Sequence, residues 1–223
     1  MSFNVAIDGP AGAGKSTVAK AVAAKRNFIY VDTGAMYRTM ALYFLRKGID
    51  KNDEAAVNRA CREVSITIAY ENDVQQVFLN GENVSGLIRT EEVGNMASAT
   101  SGYLPVREKL VELQKEMARN SDVVMDGRDI GTVVLPQADV KIFLTAAPES
   151  RARRRLLELE GRGQKTDFET VLRDIVQRDE QDRNRPIAPL RQAEDAVLLD
   201  TSQLNLEESL EALLTIVKER LPL

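Results

Sequence analysis

The segment Gly9–Thr17 constrains the fold of this chain more than any other, because it fits the pattern G-x-x-x-x-G-K-[ST]. A short β-prone run, residues 3–7, precedes it, and residues 15–27 follow with the composition of a helix. Glycines let backbone N–H groups turn towards phosphate oxygens without a Cβ in the way, and the helix N-terminus adds partial positive charge. The segment therefore predicts a P-loop, which holds the phosphates of a nucleoside triphosphate.

Two oxygen-bearing side chains predict a bound metal ion. The Ser16 hydroxyl can coordinate Mg²⁺, while Lys15 can reach the β- and γ-phosphates. Asp126 directly follows the apolar run 123–125, which is the position of a Walker B carboxylate. A carboxylate there can hold Mg²⁺ or its waters beside Ser16. We therefore expect Ser16 and Asp126 to form the metal site.

The composition narrows the chemistry further. The chain has no histidine, which excludes a Ser-His-Asp triad, a histidine general base and histidine metal ligands. Phosphoryl transfer is the reaction class that can run mainly on lysine, arginine, aspartate, serine and a metal ion. The net charge of −4 offers no electrostatic basis for nucleic acid as the main partner.

Cysteine use and the lack of long apolar runs bear on the protein's surroundings. The single cysteine, Cys61, fits a reducing compartment and a buried small side chain. The sequence shows no signal peptide and no run of about 18 apolar residues. No long exposed apolar stripe demands a partner subunit. We therefore expect a cytoplasmic monomer without a membrane or nucleic-acid partner.

Apolar runs alternate with helical patterns along most of the chain, which predicts an α/β fold of the P-loop NTPase type. We expect a five-stranded parallel sheet with helices on both faces. The predicted strands are residues 3–7, 28–31, 123–125, 140–144 and 197–199. The predicted helices are residues 15–27, 35–47, 53–63 (N-cap Asn52 or Asp53), 93–120 with a break at 102–105, 148–160, 167–183, and one opened by the capping box of Asn205 and Glu208. Residues 65–86, with an Asn80-Gly81 turn signal, predict a small antiparallel β insertion.

Arginine placement is the second informative feature. Arg38 follows the second predicted strand, and Arg128 follows the third. Ligands of open parallel sheets bind beyond the carboxyl ends of the strands, so both side chains are expected near the P-loop. The guanidinium fork can bond two phosphate oxygens at once. These positions predict a second phosphate facing the first.

Four segments, taken in order, closely resemble the bacterial cytidylate kinases, which are P-loop nucleoside monophosphate kinases. They are residues 9–17, 31–38, 126–136 and 178–185. The P-loop is shared by many families, whereas the other three segments are much more particular. The resemblance covers essentially the whole chain, including the β insertion and the closing residues 198–202.

The resemblance implies a role for each matching residue. The ATP-binding set would be Gly9, Pro10, Ala11, Gly12, Ala13, Gly14, Lys15, Ser16 and Thr17, with Arg151, Arg154 and Arg155 reaching the donor phosphates from the hinge of a mobile lid. The acceptor set would be Arg38, Arg128 and Arg185 for the phosphate, Ser98, Arg107 and Asp129 for cytosine, Arg178 and Asp182 for the ribose, and Thr33, where serine is also common. The catalytic set would be Lys15, Arg128, Arg154 and Arg185.

The implied reaction is ATP + CMP → ADP + CDP with Mg²⁺, and dCMP would give dCDP. The base assignment is chemically sound, because a carboxylate such as Asp129 accepts from the cytosine N4 amino group but faces a carbonyl in uracil. The acceptor phosphate is already ionised at neutral pH, so no general base is needed. A lid with its loop at Gly161–Lys165 would exclude water.

The resemblance also implies one domain with three regions. The core would comprise residues 1–34, 121–150 and 186–223, the acceptor-binding region residues 35–120 and the helical lid about 151–185. Three alternatives remain open: a P-loop kinase of a small metabolite such as shikimate or gluconate, a nucleotide-switch protein, and a nucleic-acid-dependent ATPase. The guanine-binding tetrapeptide Asn-Lys-x-Asp is absent, which weakens the switch alternative.

Overall fold

Five parallel strands form the central sheet of the computed structural model, which describes residues 2–72, 74–161 and 163–220. The strands are β1 (Asn4–Asp8), β2 (Ile29–Asp32), β6 (Val123–Gly127), β7 (Val140–Thr145) and β8 (Val197–Asp200). Their spatial order is β2-β6-β1-β7-β8, and every neighbouring pair is parallel. The predicted parallel sheet is therefore confirmed, with β1 and its P-loop at the centre.

Helices cover both faces of this sheet, as predicted. They are α1 (Lys15–Arg26), α2 (Thr33–Arg46), α3 (Glu54–Glu63), α4 (Glu91–Thr100), α5 (Leu104–Asn120), α6 (Pro148–Gly161), α7 (Phe168–Asn184) and α8 (Leu206–Arg220). Successive strand residues point to opposite faces, so Val5 and Ile7 join one core with α1 and α8, while Ala6 joins the other with α2 to α5. Among the described residues, no helix combines the length and apolar character needed to cross a membrane.

The β insertion is an antiparallel three-stranded sheet, as predicted. It comprises β3 (Ile66–Glu71), β4 (Val74–Leu79) and β5 (Glu82–Asn83), with Asn80 and Gly81 at φ 49° and 87° in the turn. Its side chains bond to the edge strand β2: the Tyr70 hydroxyl donates to the Tyr30 carbonyl at 3.1 Å. Gln75 accepts from the Asp32 N–H at 2.8 Å and donates to the Asp32 carbonyl at 3.3 Å. The insertion is thereby fixed beside the carboxyl end of β2.

Helices α6 and α7 form a hairpin with a small apolar cluster of its own, which includes Ala152, Val171 and Ile175. A buried ion pair joins the two helices, since Arg151 donates to both carboxylate oxygens of Asp179 at 3.0 and 2.5 Å. Arg162, in the predicted lid loop, lies outside the described residues.

The structure refines the predicted elements at three places. Helix α2 begins at Thr33 rather than at residue 35, because the Asp32 carboxylate caps it by accepting from the Ala35 N–H at 2.8 Å. Of the two candidate N-caps of α3, Asp53 is the one used. A π-helical turn, Ile130–Val134, follows β6 and was not predicted.

Candidate active site

The P-loop backbone takes conformations that favour glycine. Gly9, Gly12 and Gly14 have φ of 150°, 73° and 88°. A Cβ on Gly9 would stand 1.9 Å from the Leu144 carbonyl oxygen of β7. The loop therefore lies directly against the neighbouring strand, which only a residue without a side chain permits.

Lys15 lies buried at the base of the loop, where its Nζ donates to the Pro10 carbonyl at 2.7 Å. Burial and the nearby Arg128 guanidinium lower the pKa of Lys15, while Asp126, Asp182 and Asp8 act in the opposite direction. A buried ammonium with so little direct pairing favours an anion at this position. The arrangement fits the predicted contact with donor phosphates.

Ser16 and Asp126 meet as the metal-site prediction requires. The Ser16 hydroxyl donates to Asp126 Oδ2 at 2.9 Å, and the Tyr30 hydroxyl donates to Asp126 Oδ1 at 2.7 Å. Burial, followed by the charge of Asp32, raises the pKa of Asp126, so a nearby cation would stabilise its charged form. A hydroxyl and a carboxylate are hard oxygen donors of the type that Mg²⁺ prefers, so the residues fit this ion.

The end of β6 brings the predicted acceptor residues together beside this site. Asp129 pairs with the buried Arg107 of α5 and, at 3.0 Å, with Nη2 of Arg185. Arg128 donates from Nε to Asp182 of α7 at 2.7 Å. Burial opposes the charge of Asp182, but the adjacent Arg128 guanidinium outweighs it and lowers the pKa of this carboxyl.

Arg38 follows β2, as predicted, and lies on α2; it shares its partner Asp32, the last residue of β2, with a second arginine. Arg38 Nη2 donates to Asp32 Oδ2 at 3.1 Å, and Arg89 Nη2 donates to the same oxygen at 3.2 Å. Among the described residues, the buried Nε of Arg38 has no hydrogen-bond partner, which leaves a donor available to a ligand. Both arginines carry further free N–H donors, so this pair can accept an anion.

Arg178 projects from α7 into the same cleft. The side chain is exposed to solvent, and Asp182 lies one turn further along the same helix. Desolvation and the like charges of Arg128, Arg38 and Arg155 lower the pKa of Arg178, while the Asp182 carboxylate acts in the opposite direction. Such crowding of cations favours binding of a polyanion.

The two other predicted substrate residues, Thr33 and Ser98, each make one side-chain hydrogen bond to another element. Thr33 donates from its hydroxyl to the Asp126 carbonyl at 2.7 Å, so in this structure the side chain joins the start of α2 to β6. Ser98 of α4 donates to Gln181 Oε1 of α7 at 3.4 Å. Both positions border the acceptor cleft.

The predicted donor arginines occupy three different environments on α6. Arg151 is fully buried and, besides Asp179, donates to the carbonyls of Ala146 at 2.8 Å and Ala11 at 3.0 Å. Arg154 donates to the Thr201 carbonyl at 2.6 Å, whereas Arg155 pairs with Glu158 near the surface at 2.9 Å. Arg151 therefore braces the P-loop carbonyl of Ala11, and the other two lie further along the helix.

Sequence reasoning missed several residues that shape the cleft. Tyr30, Asp32 and Asp179 each bond a predicted site residue, and Arg89 bonds the Asp32 carboxylate that also holds Arg38. Asp32 had one usable signal, because an aspartate before a helical pattern is a frequent N-cap. The other three lie in ordinary strand, loop and helix contexts, where sequence alone does not indicate a partner.

Comparisons with known proteins agree on one family. A model of the family described as cytidylate kinase matches residues 5–219. Among similar curated proteins, the cytidylate kinase of Geobacter sp. strain M21 is 49% identical over 217 residues, 97% of this chain and 93% of that protein. The cytidylate kinase of Thermosipho melanesiensis is 48% identical over 220 residues, 99% of each chain.

One solved structure supports the fold alone. An uncharacterized protein from Eubacterium ventriosum has a TM-score of 0.56 and 13% identity, covering 99% of this chain and 100% of that chain. The small identity means that this likeness carries no information on substrates.

Proposed function

Because the chain belongs to the cytidylate kinase family, we propose that it transfers the γ-phosphoryl group of ATP to CMP and dCMP, forming CDP and dCDP. The alternatives considered from the sequence are not favoured, because family similarity extends over nearly the whole chain. The enzyme would act in pyrimidine nucleotide metabolism as a phosphotransferase with a phosphate acceptor.

One observation carries this proposal: the two sets of residues proposed to bind phosphate follow neighbouring, paired strands. Strand β1 leads into the P-loop, and β6 leads into Arg128 and Asp129. The two strands are paired in register, with Asp8 opposite Gly127. A donor phosphate above β1 and an acceptor phosphate above β6 would therefore face each other across the cleft.

The acceptor phosphate would be held by Arg38, Arg128 and Arg185. Among the described residues, Arg38 has a buried donor without a partner, and Arg128 keeps N–H groups beyond those given to Asp182 and the Gly127 carbonyl. Their charge would offset the repulsion between two polyanions and stabilise the transferring phosphoryl group.

The cytosine base would be recognised by Asp129 with Arg107 and Ser98. Each Asp129 oxygen already accepts from one arginine, but a carboxylate oxygen has capacity for a second donor such as the N4 amino group. Uracil presents a carbonyl there instead, so the carboxylate would face a second acceptor in place of a donor, at a cost of about 1–3 kcal/mol. Arg178 and Asp182 of α7 would hold the ribose, and Thr33 would contribute its hydroxyl.

The donor would be ATP, held by Gly9–Thr17 with Arg151, Arg154 and Arg155. Ser16 and Asp126 would hold Mg²⁺, which when bound neutralises phosphate charge. Within the described residues, no group of three acidic, cysteine or histidine side chains is placed to hold a metal, so the nucleotide phosphates and waters would complete its ligands. Lys15 would contact the β- and γ-phosphates.

Water exclusion would be the task of residues 151–185, the α6–α7 region, closing on a core of residues 1–34, 121–150 and 186–223. Residues 35–120 would form the acceptor-binding region of this single domain. The acceptor phosphate is its own nucleophile, so the chain needs no general base. We further propose that the enzyme is a cytoplasmic monomer without nucleic-acid or membrane partners, as the net charge, the single cysteine and the lack of long apolar runs suggest.

One assay panel tests the proposal. ADP release is measured with ATP and Mg²⁺ alone and then with CMP, dCMP, UMP, AMP, GMP or shikimate added. We expect release to depend on CMP or dCMP and to fall with the other acceptors. Equal release without any acceptor would indicate a hydrolase or switch, and release only with shikimate would indicate a metabolite kinase.

A further inference from the structure

The Asp8 carboxylate makes a contact that the reaction described above does not use. Asp8 is the last residue of β1 and is buried, at 4% exposure. Its two oxygens accept from two consecutive N–H groups far along the chain, Ile130 at Oδ1 and Gly131 at Oδ2, each at 2.7 Å. These are the first two residues of the π-helical turn that follows Asp129.

The two N–H groups are the ones that a helical turn leaves without internal partners. The side chain of the residue before the turn usually accepts such N–H groups as an N-cap. That residue is Asp129, yet its side chain makes no capping hydrogen bond. Its carboxylate faces Arg107 and Arg185 instead.

We propose that Asp8 caps this turn in place of Asp129 and thereby keeps the Asp129 carboxylate available to the cytosine base. Asp8 is then a positioning residue: it touches no substrate and acts through Asp129. This inference rests on the proposed function, because Asp129 recognises the base only if the acceptor is a cytidine nucleotide.

The position of Asp8 gives the contact a second consequence. Asp8 precedes Gly9, so the strand that carries the donor loop also supports the turn that carries base recognition. Without Asp8, the free Gly131 N–H competes for the Asp129 carboxylate, since an aspartate before a helical turn is a favoured cap. A carboxylate drawn into that cap turns away from Arg107 and from the base.

Three variants of the full-length enzyme test the inference. Asp8→Ala removes both acceptors, and Asp8→Asn keeps the side-chain volume and one acceptor. Asp139→Ala is the matched control, because this carboxylate also accepts a backbone N–H of β1, from Asn4 at 2.7 Å, but at the opposite end of the strand. For each variant, kcat and KM are measured with CMP and UMP, the Kd for ATP is measured by calorimetry, and amide exchange is followed at Ile130 and Gly131.

We expect the preference for CMP over UMP to fall about tenfold in Asp8→Ala and about threefold in Asp8→Asn, mainly through the KM for CMP. The Kd for ATP should stay within about twofold, and Asp139→Ala should match the wild type. Exchange at Ile130 and Gly131 should be slow in the wild type and faster in both Asp8 variants.

Three results would overturn the inference: an unchanged CMP preference in Asp8→Asn, a loss of ATP affinity without a loss of preference, or unchanged exchange at the two amides. If Asp8→Ala does not fold, Asp8→Asn and wild-type exchange still decide the matter. If the wild type does not phosphorylate CMP, the proposed function fails, whereas amide exchange at Ile130 and Gly131 still tests whether Asp8 caps the turn.

Discussion

The donor side of the cleft takes its central groups from consecutive residues, Gly9–Thr17, whereas the acceptor side collects side chains from α2, α4, α5, α7 and the segment that follows β6. Backbone conformation and one buried lysine define the first. Paired carboxylates and guanidinium groups define the second, such as Arg128 with Asp182 and Arg107 with Asp129. The donor side therefore depends on local backbone geometry, and the acceptor side depends on a charge network that many elements hold in place.

The two sides also differ in how their charges are balanced. Among the described residues, Lys15 makes no ion pair within 4.0 Å, whereas most acceptor arginines already have a carboxylate partner. A removed partner in a buried pair leaves an uncompensated charge, which costs more than the pair itself contributes. Changes on the acceptor side should therefore alter both recognition and stability, as the following variants test.

The largest effect should follow Gly9→Ala, on the donor side. The new methyl group would stand 1.9 Å from the Leu144 carbonyl oxygen, so the P-loop must move away from β7. We expect loss of ATP binding by calorimetry and a Tm lower by on the order of 10 °C. Gly86→Ala is the control, because a Cβ there meets nothing within 4 Å. A normal Tm with normal ATP affinity would contradict the local geometry of the loop.

Arg128→Ala should give the next largest effect, on the acceptor side. It removes a guanidinium group proposed to hold the acceptor phosphate, and kcat should fall about a hundredfold or more. The loss also leaves Asp182 without its partner, so the Tm should fall too. Arg119→Ala, which removes an arginine that pairs with Glu112 at the surface, serves as the control. A near-normal kcat would refute the role of Arg128.

Asp129→Ala should separate base recognition from donor binding. We expect the preference for CMP over UMP, measured as the ratio of kcat/KM values, to fall by about one to two decades. The Kd for ATP should change much less, because the P-loop lies on another strand. Unchanged discrimination would remove Asp129 from the acceptor set.

A smaller effect should appear in the pH dependence of stability at Asp8, between the two sides. Burial raises the pKa of Asp8 from 3.8 to about 6, so the folded state holds this proton more tightly than the unfolded chain. Protonated Asp8 therefore adds to the free energy of unfolding; this contribution is complete below pH 3.8 and is lost as pH rises through about 6. Relative to Asp8→Asn, the wild-type free energy of unfolding should fall by about 1 kcal/mol from about pH 5 to 7, measured by urea titration. If the free energy of unfolding of the wild type instead rises relative to Asp8→Asn over this range, burial does not raise the pKa of Asp8.

Gln75→Ala should have the smallest effect. It removes the two bonds from the β insertion to the Asp32 backbone, whose carboxylate holds Arg38. We expect the KM for CMP to rise about threefold with an unchanged Kd for ATP. Gln76→Ala is a close control, because this neighbouring side chain bonds within the insertion to Asn83 at 3.2 Å. Equal effects of both variants would mean that the insertion supports folding in general and not the acceptor side.

Local features of the fold were predicted well from sequence. The P-loop glycines, the parallel strands and the turn at Asn80-Gly81 all lie where the pattern indicates. The predicted capping box is present, since Asn205 and Glu208 exchange hydrogen bonds of 2.8 and 2.9 Å. Each of these features depends on residues a few positions apart, so its physical cause lies within one window of sequence.

The contacts of the candidate site were predicted less completely. Placement of Arg38 and Arg128 at the ends of β2 and β6 followed from the rule for parallel sheets. The pairing of Arg128 with Asp182 did not, because the two lie 54 residues apart, and neither did the second arginine on Asp32, because Arg89 lies 57 residues from it. The π-helical turn was also missed, because its support comes from Asp8, more than 120 residues away.

The sequence by itself determined the class of fold, the phosphate-binding loop and the family. Strand and helix periodicity and glycine spacing depend on residues close together in the chain, and the order of the motifs can be read along it. Only the tertiary structure decided which charges pair, which carboxylate caps the turn after β6, and how the β insertion is tied to β2. Burial makes these pairings obligatory, since a desolvated charge or N–H group must find a partner, and only the folded chain brings the partner within reach.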